Sequence, residues 1–295
     1  MNAKKIFTLI AFSLITFIAI GQADQSSVKP VKLPVNWEEL TSPDFAQAVS
    51  LSEGVCIIPM GVIEKHGPHL PLGTDVFTAR EISKRAASNE YCVVFPFYLA
   101  GQIFEAMHQP GTIAYSPELI YKILDETCQE LSRNGFKKIL IVNSHGGNNN
   151  FVTYFCQTQL AKQKDYALYV FTPEVDKDTQ KKIASIQKTN TGGHADEAES
   201  SVMMLFRPEL VKIDKAATQS GEDQMRLKIS NAYTPIWWYA KYPNHYAGDA
   251  RDANPVLGEV IVNQKVQQLS DVIKSIKADK ETIRLQNEFY KECVN

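Results

Sequence analysis

The 295-residue chain has few cysteines, and no two of them are spaced as a C-x-x-C pair, the unit of thiolate metal sites and disulfide redox motifs. Five thiols, Cys56, Cys92, Cys128, Cys156 and Cys293, leave at least one unpaired. The first four lie in apolar stretches where cysteine serves as a small core residue, and a Cys56 to Cys92 bridge stays open if their strands are neighbours. An excess of either charge is also missing: 31 basic against 33 acidic side chains give a net of −2, with no local basic patch, so there is no electrostatic footprint for nucleic acid. Repeats and low-complexity linkers are absent, and 15 glycines with 14 prolines is ordinary globular usage. With 44% hydrophobic and 22% charged residues, disordered and fibrous classes are excluded and a large core is affordable.

Long hydrophobic runs are missing too, except at the start. Lys4 and Lys5 precede a fifteen-residue uncharged stretch, 6–20, which is short of the roughly 20 residues a spanning helix needs. Gly21 and Ala23 occupy the −3 and −1 positions of a cut before Asp24, so residues 1–23 read as a secretory signal peptide. Removal would leave 272 residues with a net charge of −4 and no membrane segment, in a secreted or periplasmic product.

Within 24–295, a single predicted domain, β-branched or aromatic runs alternate with helical patterns, the signature of a βαβ layout around a mostly parallel sheet. Strands are expected at 55–59, 91–96, 138–142 and 166–171, with helices over about 74–88, 117–133, 149–162 and 196–206. The third of these strands is followed by a helix, and the helix before it has the clearest ends: Ser116-Pro117-Glu118 supplies cap, proline and acid, and Asn134-Gly135 the stop. Residues 218–255 carry turn formers and aromatics, among them Trp237, Trp238, Tyr239, Tyr242 and Tyr246, and read as a long excursion. An amphipathic helical tail over 258–290 has a possible break near Ala278.

Ligands of open α/β sheets bind at the carboxyl ends of the strands, and there the polar clusters stand. After the first strand comes MGVIEKHGPHLPLGTD, with Glu64, His66, His69 and Asp75; alternate residues of an extended segment share a face, so Glu64 and His66 can enter one cleft. The third strand ends NSHGGNNN, placing His145 in a glycine-flanked loop, and TGGHADEAES adds His194, Asp196, Glu197 and Glu199. Imidazole and carboxylate donors without thiolates suit Zn or Mn, and there are enough carboxylates for two ions with one bridging. Singly, each residue has a plainer role: Glu64 and Asp75 as helix caps, His66 or His145 as core histidines, the acids around Glu197 as a solvated helix face.

These three clusters, with Pro110-Gly-Thr112 and Gly248-Asp-Ala through Gly258-Glu259, resemble the creatininase (creatinine amidohydrolase) family over about 37–263. The resemblance implies a three-layer α/β/α fold with a mostly parallel sheet, two divalent ions (Zn, Mn or both) and a hexameric homo-oligomer. By position, Glu64, Asp75 and His145 would hold one ion and His66, Asp75 and Glu199 the other, with Asp75 bridging; His194 would act on the substrate. If a helix began at His194, Glu197 would share its face better than Glu199, and residue spacing leaves the two open. His69 is either an outer support of a ligand or a loop-packing residue.

The implied chemistry is hydrolysis of a C–N amide bond in a small cyclic amide, a formamide or a peptide-like substrate. Creatinine-opening members carry a glutamate where this chain has Gly147, and their substrate tryptophans have no counterpart in 169–172 or 189–193. Trp237 and Trp238 are expected in core or interface packing instead. The alternatives are a non-catalytic ligand-binding protein on the same fold, and a metal phosphoesterase, for which only Lys65 offers a cation within the clusters.

Overall fold

Four parallel strands lie in the order β2-β1-β3-β4: β1 (Val55–Met60), β2 (Val93–Val94), β3 (Lys138–Asn143) and β4 (Ala167–Val170). The computed structural model describes residues 33–189 and 192–293, so the expected signal peptide at 1–23 lies outside the described residues. Side chains alternate across the pleat. Cys56, Ile58, Met60, Ile139 and Ile141 pack with Leu124, Leu131 and Phe155, from α3 (Pro117–Arg133) and α4 (Asn148–Thr158), and with α1 (Ser42–Leu51). Val55, Ile57, Leu140 and Val142 face the other way, onto Ile82, Val202 and Val262 of α2 (Thr74–Asn89), α6 (Glu197–Phe206) and α8 (Pro255–Ala278). Each strand is apolar on both faces because helices cover both, giving the three-layer α/β/α fold. On that ground no Cys56–Cys92 bridge forms: the two thiols sit in opposite layers, and all five cysteines are free.

Caps set the helix ends. Ser116 Oγ accepts from Leu119 N at 3.3 Å ahead of Pro117, and Gly135 at φ +102° closes α3. The tail divides at Asp279, whose carboxylate accepts from Glu281 N at 2.7 Å and starts α9 (Glu281–Cys293). The second strand is shorter than the run 91–96 because it is an edge, paired on one side with β1 and bridged at Val94 to Asn36. Two further helices, α1 and α5 (Lys177–Ile186), and the short α7 (Trp237–Lys241) were not foreseen from the sequence.

Candidate metal centre

The polar residues gather where β1 and β3 end. Glu64 is fixed by its N–H to Leu72 O (3.1 Å), and Gly67 N–H donates to His245 O (3.1 Å). Asp75 stands in the first turn of α2, which presses on the strand end: a Cβ at Gly61 would lie 2.5 Å from Val76 N, so glycine is required there. The His145 loop is braced by Asn143, whose Oδ1 accepts from His145 N (3.2 Å) and from Asn148 Nδ2 (3.1 Å). At the third cluster Asp196 caps α6 by accepting from Glu199 N (3.0 Å), and Ala195 holds φ +56°. His194 therefore precedes the helix and pairs with Ala247.

Asp75 reaches both ways. Its Oδ1 lies 3.2 Å from His66 Nε2 and its Oδ2 3.2 Å from His145 Nδ1. Glu64 Oε1 is 2.7 Å from His145 Nδ1, and Glu199 Oε1 is 3.6 Å from His66 Nε2. Donor atoms sharing a tetrahedral ion with bonds of about 2.1 Å stand about 3.4 Å apart, a value these separations of 2.7 to 3.6 Å bracket. Glu64 Oε1 and Asp75 Oδ2 are buried and make no properly directed hydrogen bond, although His145 Nδ1 is so near. Buried carboxylate oxygens rarely go unpaired; lone pairs converging on a shared point are what a cation satisfies.

Backbone carbonyls fix the imidazole tautomers. His66 Nδ1–H donates to Glu64 O (3.2 Å), which turns the Nε2 lone pair to the carboxylates. His194 Nε2–H donates to Lys65 O (2.9 Å), leaving Nδ1 free, 4.0 Å from Glu199 Oε2. Close approaches group Glu64, His66 and Asp75; His66, His194 and Glu199; and Glu64, His194 and His245. The last trio is not a ligand set, because Trp238 Nε1–H donates to His245 Nδ1 (2.9 Å), so His245 Nε2 carries its hydrogen and donates to Glu64 Oε2 (2.5 Å). In the protein alone these groups lean on one another. Burial works against the charged form of Glu64, yet His145, His194 and His66 hold it well below the usual carboxylate range. Burial likewise opposes charge on His66, but Asp75, Glu199 and Glu64 push it up to about 10.

The remaining expected residues serve the scaffold. Glu197 is fully buried and turned away, accepting from Lys188 N (3.0 Å) and from Thr189 N and Oγ1 (both 2.8 Å), while Glu199 faces His66. His69 meets Ser200 Oγ at 2.8 Å, and its ring packs on Tyr246. Trp237 and Trp238 correct the expectation of core or interface packing: they line a cavity of about 860 Å³ that opens over Glu64, His145 and His194. Phe104, Phe151, Tyr233 and Tyr239 add to its aromatic wall. His245 was missed altogether. It sits 181 positions from Glu64 with no flanking acids, and its only sequence signal is a histidine inside the aromatic excursion.

Among curated proteins, creatinine amidohydrolase of Pseudomonas putida is 25% identical over 255 residues, covering 80% of this chain and 95% of the relative. The 3-dehydro-scyllo-inosose hydrolase of Thermotoga maritima is 24% identical over 243 residues, 75% of this chain and 76% of the relative. A creatininase variant solved as a Zn-Zn type superimposes with a TM-score of 0.70 at 21% identity, covering 83% of this chain and 98% of the other. The family profile described as creatinine amidohydrolase matches residues 38–273, in keeping with the parallel sheet and the polar residues gathered at its strand ends, and the chain belongs to the creatininase family of amidohydrolases.

Proposed function

We propose that the chain is an exported, metal-dependent amidohydrolase that cleaves a C–N bond in a small cyclic amide, a formamide or a peptide-like substrate. The observation that carries this reading is the pair of buried acceptors, Glu64 Oε1 and Asp75 Oδ2, which make no well-directed hydrogen bond and crowd the single nitrogen His145 Nδ1. Glu64, Asp75 and His145 would hold one divalent ion and His66, Asp75 and Glu199 a second, Zn or Mn by the donor set. When bound, such a pair supplies a water acidic enough to be a nucleophile near neutral pH, and positive charge for the developing oxyanion.

The chain's residues do the rest. Asp75 spans the two ligand groups, the Glu64 carbonyl keeps His66 in the ligating tautomer, and His245 holds the far oxygen of Glu64. His194, anchored through Nε2 to Lys65 O, keeps Nδ1 available to carry a proton to the leaving nitrogen. The aromatic wall excludes water and grips the substrate's apolar part. Among the described residues no lysine or arginine lines the cavity, which weighs against a phosphate ester.

The leader at 1–23 would direct the product to the periplasm or beyond, and a homo-oligomer, a hexamer by the family resemblance, would be its assembly. The test loads the chain from Asp24 with Zn or Mn, measures metal by elemental analysis, and screens small lactams, formamides and short peptides. Two ions per chain with turnover of one amide class is the expected result. Stoichiometric metal without turnover of any of them favours a ligand-binding protein; absence of metal overturns the reading.

A further inference from the structure

Beside the metal centre is a second polar corner that the chemistry above leaves unused. Gln102 and Glu105 come from the loop after β2, and their side chains are joined by Gln102 Nε2–H donating to Glu105 Oε2 at 2.6 Å. The loop is clamped to the His145 segment: Gln102 N–H donates to Asn148 Oδ1 (2.7 Å), and a Cβ at Gly101 would fall 2.6 Å from the Asn148 amide. Two atoms of this corner are unsatisfied. Gln102 Oε1 and His145 Nε2 are both buried without a hydrogen-bond partner, and His145 is only 6% exposed. A Cβ at Gly147 would stand 2.5 Å from His145 Nε2, 2.7 Å from Gln102 Oε1 and 2.9 Å from Glu105 Oε1. Three polar atoms from the two clamped loops thus gather against Gly147, at a corner of the cavity that their residues line.

We propose that Gln102, Glu105 and His145 Nε2 form a subsite for a planar group carrying an NH2 beside a carbonyl, a carboxamide or ureido head, on the substrate of the reaction proposed above. The inference rests on that reading in one respect: with the Nδ1 lone pair of His145 given to an ion, Nε2 bears the hydrogen and can only donate. The corner then offers one donor and two acceptors, one of them a carboxylate, whose hydrogen bonds with N–H are the stronger kind. A carboxamide answers all three, its oxygen to His145 and its two N–H bonds to Gln102 Oε1 and Glu105 Oε1. A carboxylate or ester leaves at least one acceptor bare, and buried unpaired acceptors are costly. Its flat face suits the aromatic wall of Phe104, Phe151 and Trp238.

The test compares benzamide with methyl benzoate, the same planar shape without N–H, by isothermal titration calorimetry on the metal-loaded chain. Benzamide should bind at least about 10-fold more tightly. Gln102→Leu should reduce that preference to within about 2-fold, and Glu105→Gln should reduce it in part, with metal content and melting temperature unchanged in at least one of the two. Equal binding of the two probes by the parent chain, or an undiminished preference in both folded variants, would mean that only an ordered water fills the corner and would overturn the proposal. Preference without turnover of any amide would leave the subsite standing and remove the hydrolase; turnover without preference would do the reverse.

Discussion

The floor and the wall of the cavity are built by different means. Glu64, His66, Asp75 and His145 sit within a few residues of β1, β3 or the start of α2, are 0–6% exposed, and are held by backbone hydrogen bonds to fixed loops. The wall comes largely from a stretch without strands, and Tyr233 in it is 79% exposed. A sheet offers strand ends at set spacings, so groups that must meet to within tenths of an ångström belong there; a loop wall can change without disturbing them. Reaction type and substrate choice should therefore separate under mutation, floor changes abolishing turnover and wall changes shifting which substrate is taken.

The sharpest break of that comparison is at Asp75, the one side chain common to the two proposed ligand groups, which lies 3.2 Å from both His66 and His145. Asp75→Ala should lower turnover about 10³-fold or more and remove most bound metal, read by elemental analysis, with the circular dichroism of the fold retained. Next is Glu197, a floor neighbour with no view of the cavity. Truncation to alanine strands the N–H groups of Lys188 and Thr189, so it should cost about 2–4 kcal/mol in denaturant unfolding while kcat per folded molecule stays within about 2-fold. A large loss of kcat at full folding would put Glu197 in the chemistry and undo the assignment of Glu199.

That pair also marks where the sequence stops being readable. Strand ends, the α3 caps and the division of the tail at 279 follow from periodicity and local side-chain chemistry, and Glu64, His66 and Asp75 follow from sitting just past a strand. Glu197 and Glu199 cannot be separated by spacing, because the deciding fact is a backbone turn at Ala195 and a helix that starts after Asp196. His245 and Trp238 are illegible for a different reason. They reach Glu64 only through the folded path of residues 218–254, which has no period to project.

Trp238 tests the wall from its inner edge, where it touches the floor. Trp238→Phe keeps an aromatic side chain, though a smaller one, and deletes the N–H that sets the His245 tautomer, so His245 is free to turn its bare nitrogen toward Glu64. Metal affinity should fall about 10-fold, as when an outer partner of a ligand is lost. Trp237→Phe, one residue along and not bonded to His245 among the described contacts, should leave affinity unchanged and alter only KM. Equal effects of the two would mean that the wall acts as a single packing unit.

The smallest effect is on stability against pH, and it separates floor from surroundings without any substrate. In the metal-free chain His66 titrates at about 10, above its unfolded value of 6.5, so its contribution is full below about pH 6.5 and is lost as pH rises through 10. His69 behaves oppositely. Burial, with His66 next in effect, pulls it down to about 4, so folding resists its protonation and stability falls as pH drops from 6.5 through 4. The metal-free protein should thus be most stable near pH 6.5 and weaken on either side. Loading Zn should reverse the alkaline limb, because the ion needs His66 deprotonated and its binding releases protons, so that its stabilisation grows as pH rises. Melting temperatures of chelator-treated and Zn-loaded protein across this range read both limbs. If the alkaline decline is the same with and without Zn, His66 is not a ligand.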